Sequence, residues 1–374
     1  MIWSEDSEKL LHPNEAPPNH GAKLRQVSAP VEVKESGECE REPEEHQKLM
    51  LDANNEEWEE AIRQFTFTTH YLPLERLDAA ALLVANLKRG LAAGSIVQED
   101  LESLLPGQDL EMMQMDASGQ LQDLNERLSR HLKTIQTSEG AGFFIKTSCR
   151  SPKDAPAASQ NLKELYQQRL MTSDDPNDFN SKLDALLYAG VQCLKVTEAH
   201  QAIELLCSSD RIRMDMFVAL NPNLKDRTWQ QNLVIREWTD IEPDMEFRGF
   251  VSNRQFTALS QYNHQMVSQR LLKQREEISQ RIYQFWEDHI DPQLAPNEKL
   301  QSYIVDFALT GPDFGKVWVV ELNPFLPSTS PNLFSWSRDA ELLHNGPFTF
   351  RLREKSSRGV LADMEPEWKA ILDL

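Results

Sequence analysis

The sequence predicts an α+β fold of two lobes, with antiparallel sheets and flanking helices. Three observations carry this. Residues 301–325, QSYIVDFALTGPDFGKVWVVELNPF, read as two strands, Tyr303 to Leu309 and Lys316 to Leu322, joined by a Gly/Pro/Asp turn. Residues 245–261 read the same way, with Ser252-Asn253-Arg254-Gln255 as the turn. Helical stretches separate the strands, and 374 residues can bury the core of one large bilobed domain or two smaller ones.

Composition narrows the class. The formal charge is −20, and residues 1–60 hold 16 acidic and 6 basic residues. Such a chain is a poor nonspecific nucleic-acid binder, which needs a basic stripe. No run of 18 apolar residues suggests a membrane span, and MIWSEDSEKLL lacks the pattern of a secretory signal. Cys39, Cys149, Cys193 and Cys207 are irregularly spaced, with no zinc pattern. The expected setting is the cytoplasm, with the chain a monomer that engages neither membrane nor nucleic acid.

Residues 1–55 hold five prolines and few aromatics, and are expected to be disordered, an acidic arm that solvates the chain or meets a partner. An N-terminal lobe with a helical insert follows over 56–235. Within it Phe65 to Thr69 is β-rich, and Pro73 marks an edge or turn. A helix over about 75–89 ends at Gly90, and 91–118 is a connector with Met112, Met113 and Met115 as core filler. Helices follow near 119–136, 179–189, 197–207 and 210–219, the last behind a Ser208-Ser209-Asp210 cap cluster. The second lobe is 236–354. It contains a long helix over about 264–288, and 355–374 is a polar tail.

Two segments carry chemistry. Phe143 to Thr147 is a short apolar strand with Lys146 embedded in it, followed by Ser148-Cys149-Arg150-Ser151. Lys146 is either an exposed edge-strand lysine or a phosphate contact, and the loop offers hydroxyls, a guanidinium and backbone N–H groups. On the hairpin, alternation places Glu321 and Asn323 on one face, and strand pairing lets Asp306 face them. These three are solvated residues of a half-exposed hairpin or the hard oxygen ligands of Mg²⁺ on a nucleoside triphosphate. Glu246 and Arg248 share a strand face, as a surface ion pair would.

A strand lysine, a helical stretch, a strand ending in Arg236-Glu237-Trp238, then Asp306 and Glu321-Leu322-Asn323, follow the order of parts in an ATP-grasp nucleotide site. More narrowly, FFIKTSCRSPKDA (143–155), LVIREWTDIEPDMEFRGFV (233–251) and YIVDF with KVWVVELNPF and LFSW (303–336) resemble the cell division cycle protein 123 family, as a divergent member. Cys149 stands where better-known members carry tryptophan, and Glu321 where they carry aspartate. The resemblance implies an ATP-grasp-like fold that binds Mg-ATP. It also implies an assembly chaperone for eukaryotic translation initiation factor 2, acting on its gamma subunit. Lys146, Ser151 and Lys153 would then contact phosphate, and Arg236, Glu237 and Trp238 would line the adenine hinge. Glu246 and Arg248 would lie along the ribose-phosphate face, and Asp306, Glu321 and Asn323 would hold Mg²⁺. The alternative is an ATP-grasp ligase or phosphotransferase with the same metal set. On this reading Asp306→Ala or Asn323→Ala abolishes Mg-ATP binding and leaves the fold intact.

Overall fold

Two sheets form the frame. The computed structural model describes residues 43–106, 110–135, 141–158, 161–224, 229–364 and 366–372. The strands are β1 Thr69–Pro73, β2 Phe143–Thr147, β3 Lys195–Val196, β4 Asn232–Glu237, β5 Glu246–Ser252, β6 Gln255–Gln261, β7 Tyr303–Thr310, β8 Lys316–Pro324 and β9 Thr349–Arg351. The first sheet has the order β1-β4-β2-β3 and the second β8-β7-β5-β6-β9. All neighbours are antiparallel except β6 and β9. Proline suits β1, which lies at an edge where a missing N–H costs no ladder bond.

The helices are α1 Pro43–Asp52, α2 Arg76–Ala93, α3 Ala117–Leu132, α4 Asn161–Met171, α5 Phe179–Gln192, α6 Ala199–Ser208 and α7 Asp210–Leu220. They continue with α8 Gln269–Lys273, α9 Arg275–Phe285, α10 Asp291–Leu294, α11 Ala340–Asn345 and α12 Pro366–Leu372. Local chemistry sets their ends. A Glu75/Asp78 capping box opens α2, which continues through Gly90, the expected stop, until Gly94 at φ 72° closes it. Ser209 caps α7 by accepting from the Ile212 amide.

The helix expected over 264–288 is broken. Gln261 donates to the Asn263 and Met266 carbonyls, which holds that stretch out of the helix, and Ser268 caps a new start. Beyond α9 the chain makes one π-helical turn, Trp286–Ile290, before α10.

Each sheet has one apolar face. Ile145, Leu233 and Ile235 of the first pack against α2, α3, α6 and α7 through Leu82, Leu124, Ile203 and Ile212. Phe247, Val305 and Phe307 of the second pack against Ile278 and Ile282 of α9 and against Trp286. Gly249 also lies on this face, where a Cβ would come 2.6 Å from the Phe256 ring. A smaller cluster joins α4 and α5 to Ile371 and Leu372 of α12.

Three boundaries differ from expectation. The part of the acidic arm over residues 1–42 lies outside the described residues, but 43–55 is ordered: α1 forms, and Leu51, Ala53, Asn54 and Asn55 are buried. Residues 56–67 belong with the second sheet: Trp58 and Ile62 enter its core, and Thr66 bridges Val319 of β8. The described part of the expected polar tail, 355–364 and 366–372, is not all polar, because Ile371 and Leu372 supply an apolar face that α5 buries. The chain leaves the first sheet at Glu237, the last residue of β4, and enters the second at Glu246.

Candidate functional site

The remaining face of each sheet carries charged residues beside apolar ones such as Val234, Phe250 and Ile304, and the two faces meet where Lys146 reaches Glu321 and Arg236 reaches Val320. Register pairs Lys146 with Val234 and Phe144 with Arg236, so Lys146 and Arg236 share the face opposite the first sheet's core. On the second sheet Arg248, Asp306 and Glu321 stand side by side across β5, β7 and β8. Glu246 is two residues from Arg248 and shares its face.

A β-bulge creates this arrangement. Up to Val319, β8 pairs Val317 with Leu309 and Val319 with Phe307, all on the apolar face. Continued alternation would put Glu321 and Asn323 on that same face. The register shifts between Asp306 and Phe307, leaving Val320 as the extra residue, so Glu321 comes opposite Asp306 instead. The unpaired Val320 carbonyl then accepts from Arg236 Nη1 at 2.6 Å.

Two buried ion pairs adjoin here, one between the sheets and one within the second. Lys146 Nζ lies 3.1 Å from Glu321 Oε2, with both side chains at most 5% exposed. Within the second sheet Arg248 grips Asp306 with two bonds of 2.8 Å, and Asn323 Nδ2 donates to Asp306 Oδ2 at 3.2 Å. Burial pushes the Asp306 carboxyl up, against the pull of Arg248. Arg248 meets both carboxylate oxygens, a bidentate charge-assisted contact. Burial acts on Glu321 in the same sense, but Lys146, Lys153, Arg211 and Arg248 outweigh it and hold this carboxyl well below the carboxylate range. Glu246 is raised, since burial exceeds the help of Lys153.

These shifts have opposite consequences for stability. A depressed carboxyl contributes stability above its unfolded value, near 4.5, and loses it as pH falls toward the folded value. Glu246 contributes in the other sense, most at low pH and less as pH rises through its folded value. Urea unfolding between pH 7 and 3 should therefore show stability falling below about pH 4.5, with a shallower fall in Glu321→Gln. An equally steep fall in the variant would show that Glu321 is not held down.

The loop after β2 is pinned to α7. Asp215 accepts from Arg150 Nε at 2.6 Å and from Thr147 Oγ1 at 3.2 Å. Asp154 accepts from Ser209 Oγ and the Arg211 amide, and Arg211 Nε donates to the Ser151 carbonyl. Ser151 Oγ is buried and has no hydrogen-bond partner among the described residues. Lys153 Nζ reaches Tyr262 Oη at 3.0 Å.

The three hinge residues divide. Arg236 is fully engaged by Thr69 Oγ1, Asn55 Oδ1 and the Val320 carbonyl, and burial lowers it to about 10. It is a clamp among α1's exit, β4 and β8, a role its sequence position did not suggest. Glu237 lies on the other face of β4. Trp238 follows the strand, donating its amide to the Gly142 carbonyl and its indole to Asp240. Sequence reasoning also missed Asn55, Tyr71 and Tyr262; an isolated Asn or Tyr carries no positional signal until the fold surrounds it.

Chemically, the face offers two carboxylates and the Asn323 amide oxygen as hard ligands. Among the described residues no three His, Cys, Asp or Glu gather into a metal cluster, so a cation here would draw further oxygens from a ligand. Because Arg248 and Lys146 already neutralise the carboxylates, that ligand would be an anion able to take those cations. The orphaned Ser151 hydroxyl on the adjoining loop fits the same kind of ligand. A cavity of about 360 Å³, lined by Leu49, Tyr303, Phe325 and His344 among others, also reaches Asn323. Among the described residues no helix is long and apolar enough to cross a membrane.

Comparison with known proteins agrees with this frame. A Candida albicans protein named "Translation initiation factor eIF2 assembly protein" is 26% identical over 261 residues, 67% of this chain and 65% of that protein. A Xenopus laevis protein of the same name is 30% identical over 162 residues, 42% of this chain and 46% of its own length. The matches thus span less than two thirds of these relatives. The solved structure of Cdc123 from Schizosaccharomyces pombe superposes with a TM-score of 0.50 at 18% identity, covering 82% of this chain and 98% of that one. This likeness gives the chain an ATP-grasp-like fold. The family model described as D123 matches residues 177–366, half of the sequence, and the chain belongs to that family, the cell division cycle protein 123 family that its three blocks resemble.

Proposed function

We propose that this chain is a cytoplasmic, Mg-ATP-binding assembly chaperone for eukaryotic translation initiation factor 2, acting through the gamma subunit. The observation that carries the nucleotide reading is the two adjoining buried ion pairs, Lys146–Glu321 between the sheets and Arg248–Asp306 within the second, with the Asn323 amide beside them. Two buried cations and two buried carboxylates can exchange partners for a polyphosphate and its metal without leaving a charge uncompensated. Asp306, Glu321 and Asn323 would hold Mg²⁺. Lys146, Ser151, Lys153 and Arg248 would face phosphate oxygens, with Glu246 beside them. Trp238 and the backbone of Glu237, where the chain passes between the sheets, would lie on the adenine side. Mg²⁺, when bound, supplies the positive charge that lets phosphate and carboxylates share one site. The relatives' shared name supports initiation factor 2 as the client, and nucleotide binding would favour one arrangement of the two lobes for that client.

Calorimetric titration of ATP, with and without Mg²⁺, tests the site. Wild type should bind only with the metal, and Asn323→Ala should weaken binding by about 10- to 100-fold. Equal affinity in the variant would remove the metal assignment. Pull-down of the gamma subunit tests the client separately, and no capture would refute it.

A further inference from the structure

Tyr262 follows β6 and is half-buried against the polar face of the second sheet. Its amide donates to the Glu246 carbonyl at 3.0 Å, fixing it beside β5. Two cations converge on its ring. Lys153 Nζ lies 4.5 Å from the ring centroid and 3.0 Å from the hydroxyl, and the Arg248 guanidinium carbon lies 4.9 Å from the same centroid. Both are within the range where a ring quadrupole attracts a cation.

Like charges this close repel, and each has another place to go. Arg248 is held by Asp306, but Lys153 has no carboxylate within ion-pair distance among the described residues; its partner is the phenol. Glu246, buried nearby, attracts it electrostatically. The ring and hydroxyl of Tyr262 therefore do two things. They offset the repulsion between the two cations, and they keep Lys153 from collapsing onto Glu246.

We propose that Tyr262 is a positioning residue for polyanion binding: its ring and hydroxyl hold Lys153 beside Arg248 so that both cations are presented to the same phosphate chain. The assignment rests on the nucleotide reading above and adds to it a residue that acts through another. Its signature is dependence on Lys153, which a merely structural tyrosine would lack.

The experiment is a double-mutant cycle on Mg-ATP affinity, using the full chain with wild type, Tyr262→Ala, Lys153→Ala and the double variant, alongside Tyr262→Phe. Thermal unfolding is measured for each. Tyr262→Ala should weaken binding about tenfold, and Tyr262→Phe, which keeps the ring, by a smaller factor. In the Lys153→Ala background Tyr262→Ala should add little. Additive losses would overturn the assignment, because Tyr262 would then act without Lys153. So would a loss in Tyr262→Ala that merely tracks its melting temperature and is not relieved in Tyr262→Phe. Wild type that fails to bind at all would overturn the nucleotide reading itself, and this assignment with it.

Discussion

Asp306→Ala is expected to destabilise the folded protein by about 3–5 kcal/mol, the usual cost of leaving a buried ion without its partner. Arg248 is 7% exposed and Asp306 1%, and two 2.8 Å bonds join them. Besides Asp306, Arg248 has the Ser330 carbonyl and the Tyr262 ring, neither of which carries a compensating charge. This changes the expectation drawn from sequence, in which alanine at this position removed a metal ligand and left the fold intact. Replacing both partners by apolar residues, Arg248→Met with Asp306→Leu, should recover most of the stability while nucleotide binding stays lost. Urea unfolding of wild type and the two variants measures this. A single Asp306→Ala variant as stable as wild type would mean that the pair is solvated rather than buried.

The second large effect concerns the stretch before Glu56. A chain starting at Glu56 should be less stable than one starting at Pro43 by at least about 4 kcal/mol, lowering the midpoint of thermal unfolding by about 8 °C or more. The lost residues include the buried side chains of Leu51 and Ala53, worth up to about 3 kcal/mol for the leucine alone. Asn55 goes as well. It donates to Tyr71 Oη, accepts from Arg236 Nη2 at 2.9 Å, and its amide donates to the Ser148 carbonyl at 2.8 Å. Arg236 has no carboxylate in ion-pair contact among the described residues, so each neutral partner matters. A hydrogen bond to a charged group contributes about 1.5–3 kcal/mol. Matching melting curves for the two chains would show that this segment is dispensable.

The legible part of the fold was the part written in alternation and capping. The strand pairs around 303–322 and 245–261 came from period-two patterns and turn residues, and α7 from its Ser209 cap. The lysine strand, Asp306, Glu321 and Asn323 were found because charge inside an apolar strand is conspicuous. Other features depend on contacts distant in sequence. The acidic composition of 1–60 hid α1 and Asn55, because composition averages over a stretch whose last residues are buried by partners more than 90 positions away, such as Ser148 and Arg236. The helix at 264–288 kept its apolar stripe but lost its continuity to Gln261, a residue outside the stripe. Arg236 sat in the right block, yet its side chain serves the clamp rather than the hinge, because Val320 offers it a free carbonyl.

That Val320 carbonyl exists because the strand changes phase there. Tolerance to substitution along β8 should change with it. Before the bulge, positions 317 and 319 face the core and should accept only apolar residues. After it, position 322 takes over that role, and 321 and 323 become the polar ones. Removing one residue at 320 would leave Glu321 opposite Asp306 in an uninterrupted alternation and take away the carbonyl that Arg236 uses, whereas keeping the residue and straightening the bulge would turn a carboxylate and an amide toward Phe307 and its neighbours. A strand that looks like a simple hydrophobic ladder is thus a two-part ruler, and the single residue at its join decides which sheet face carries the chemistry.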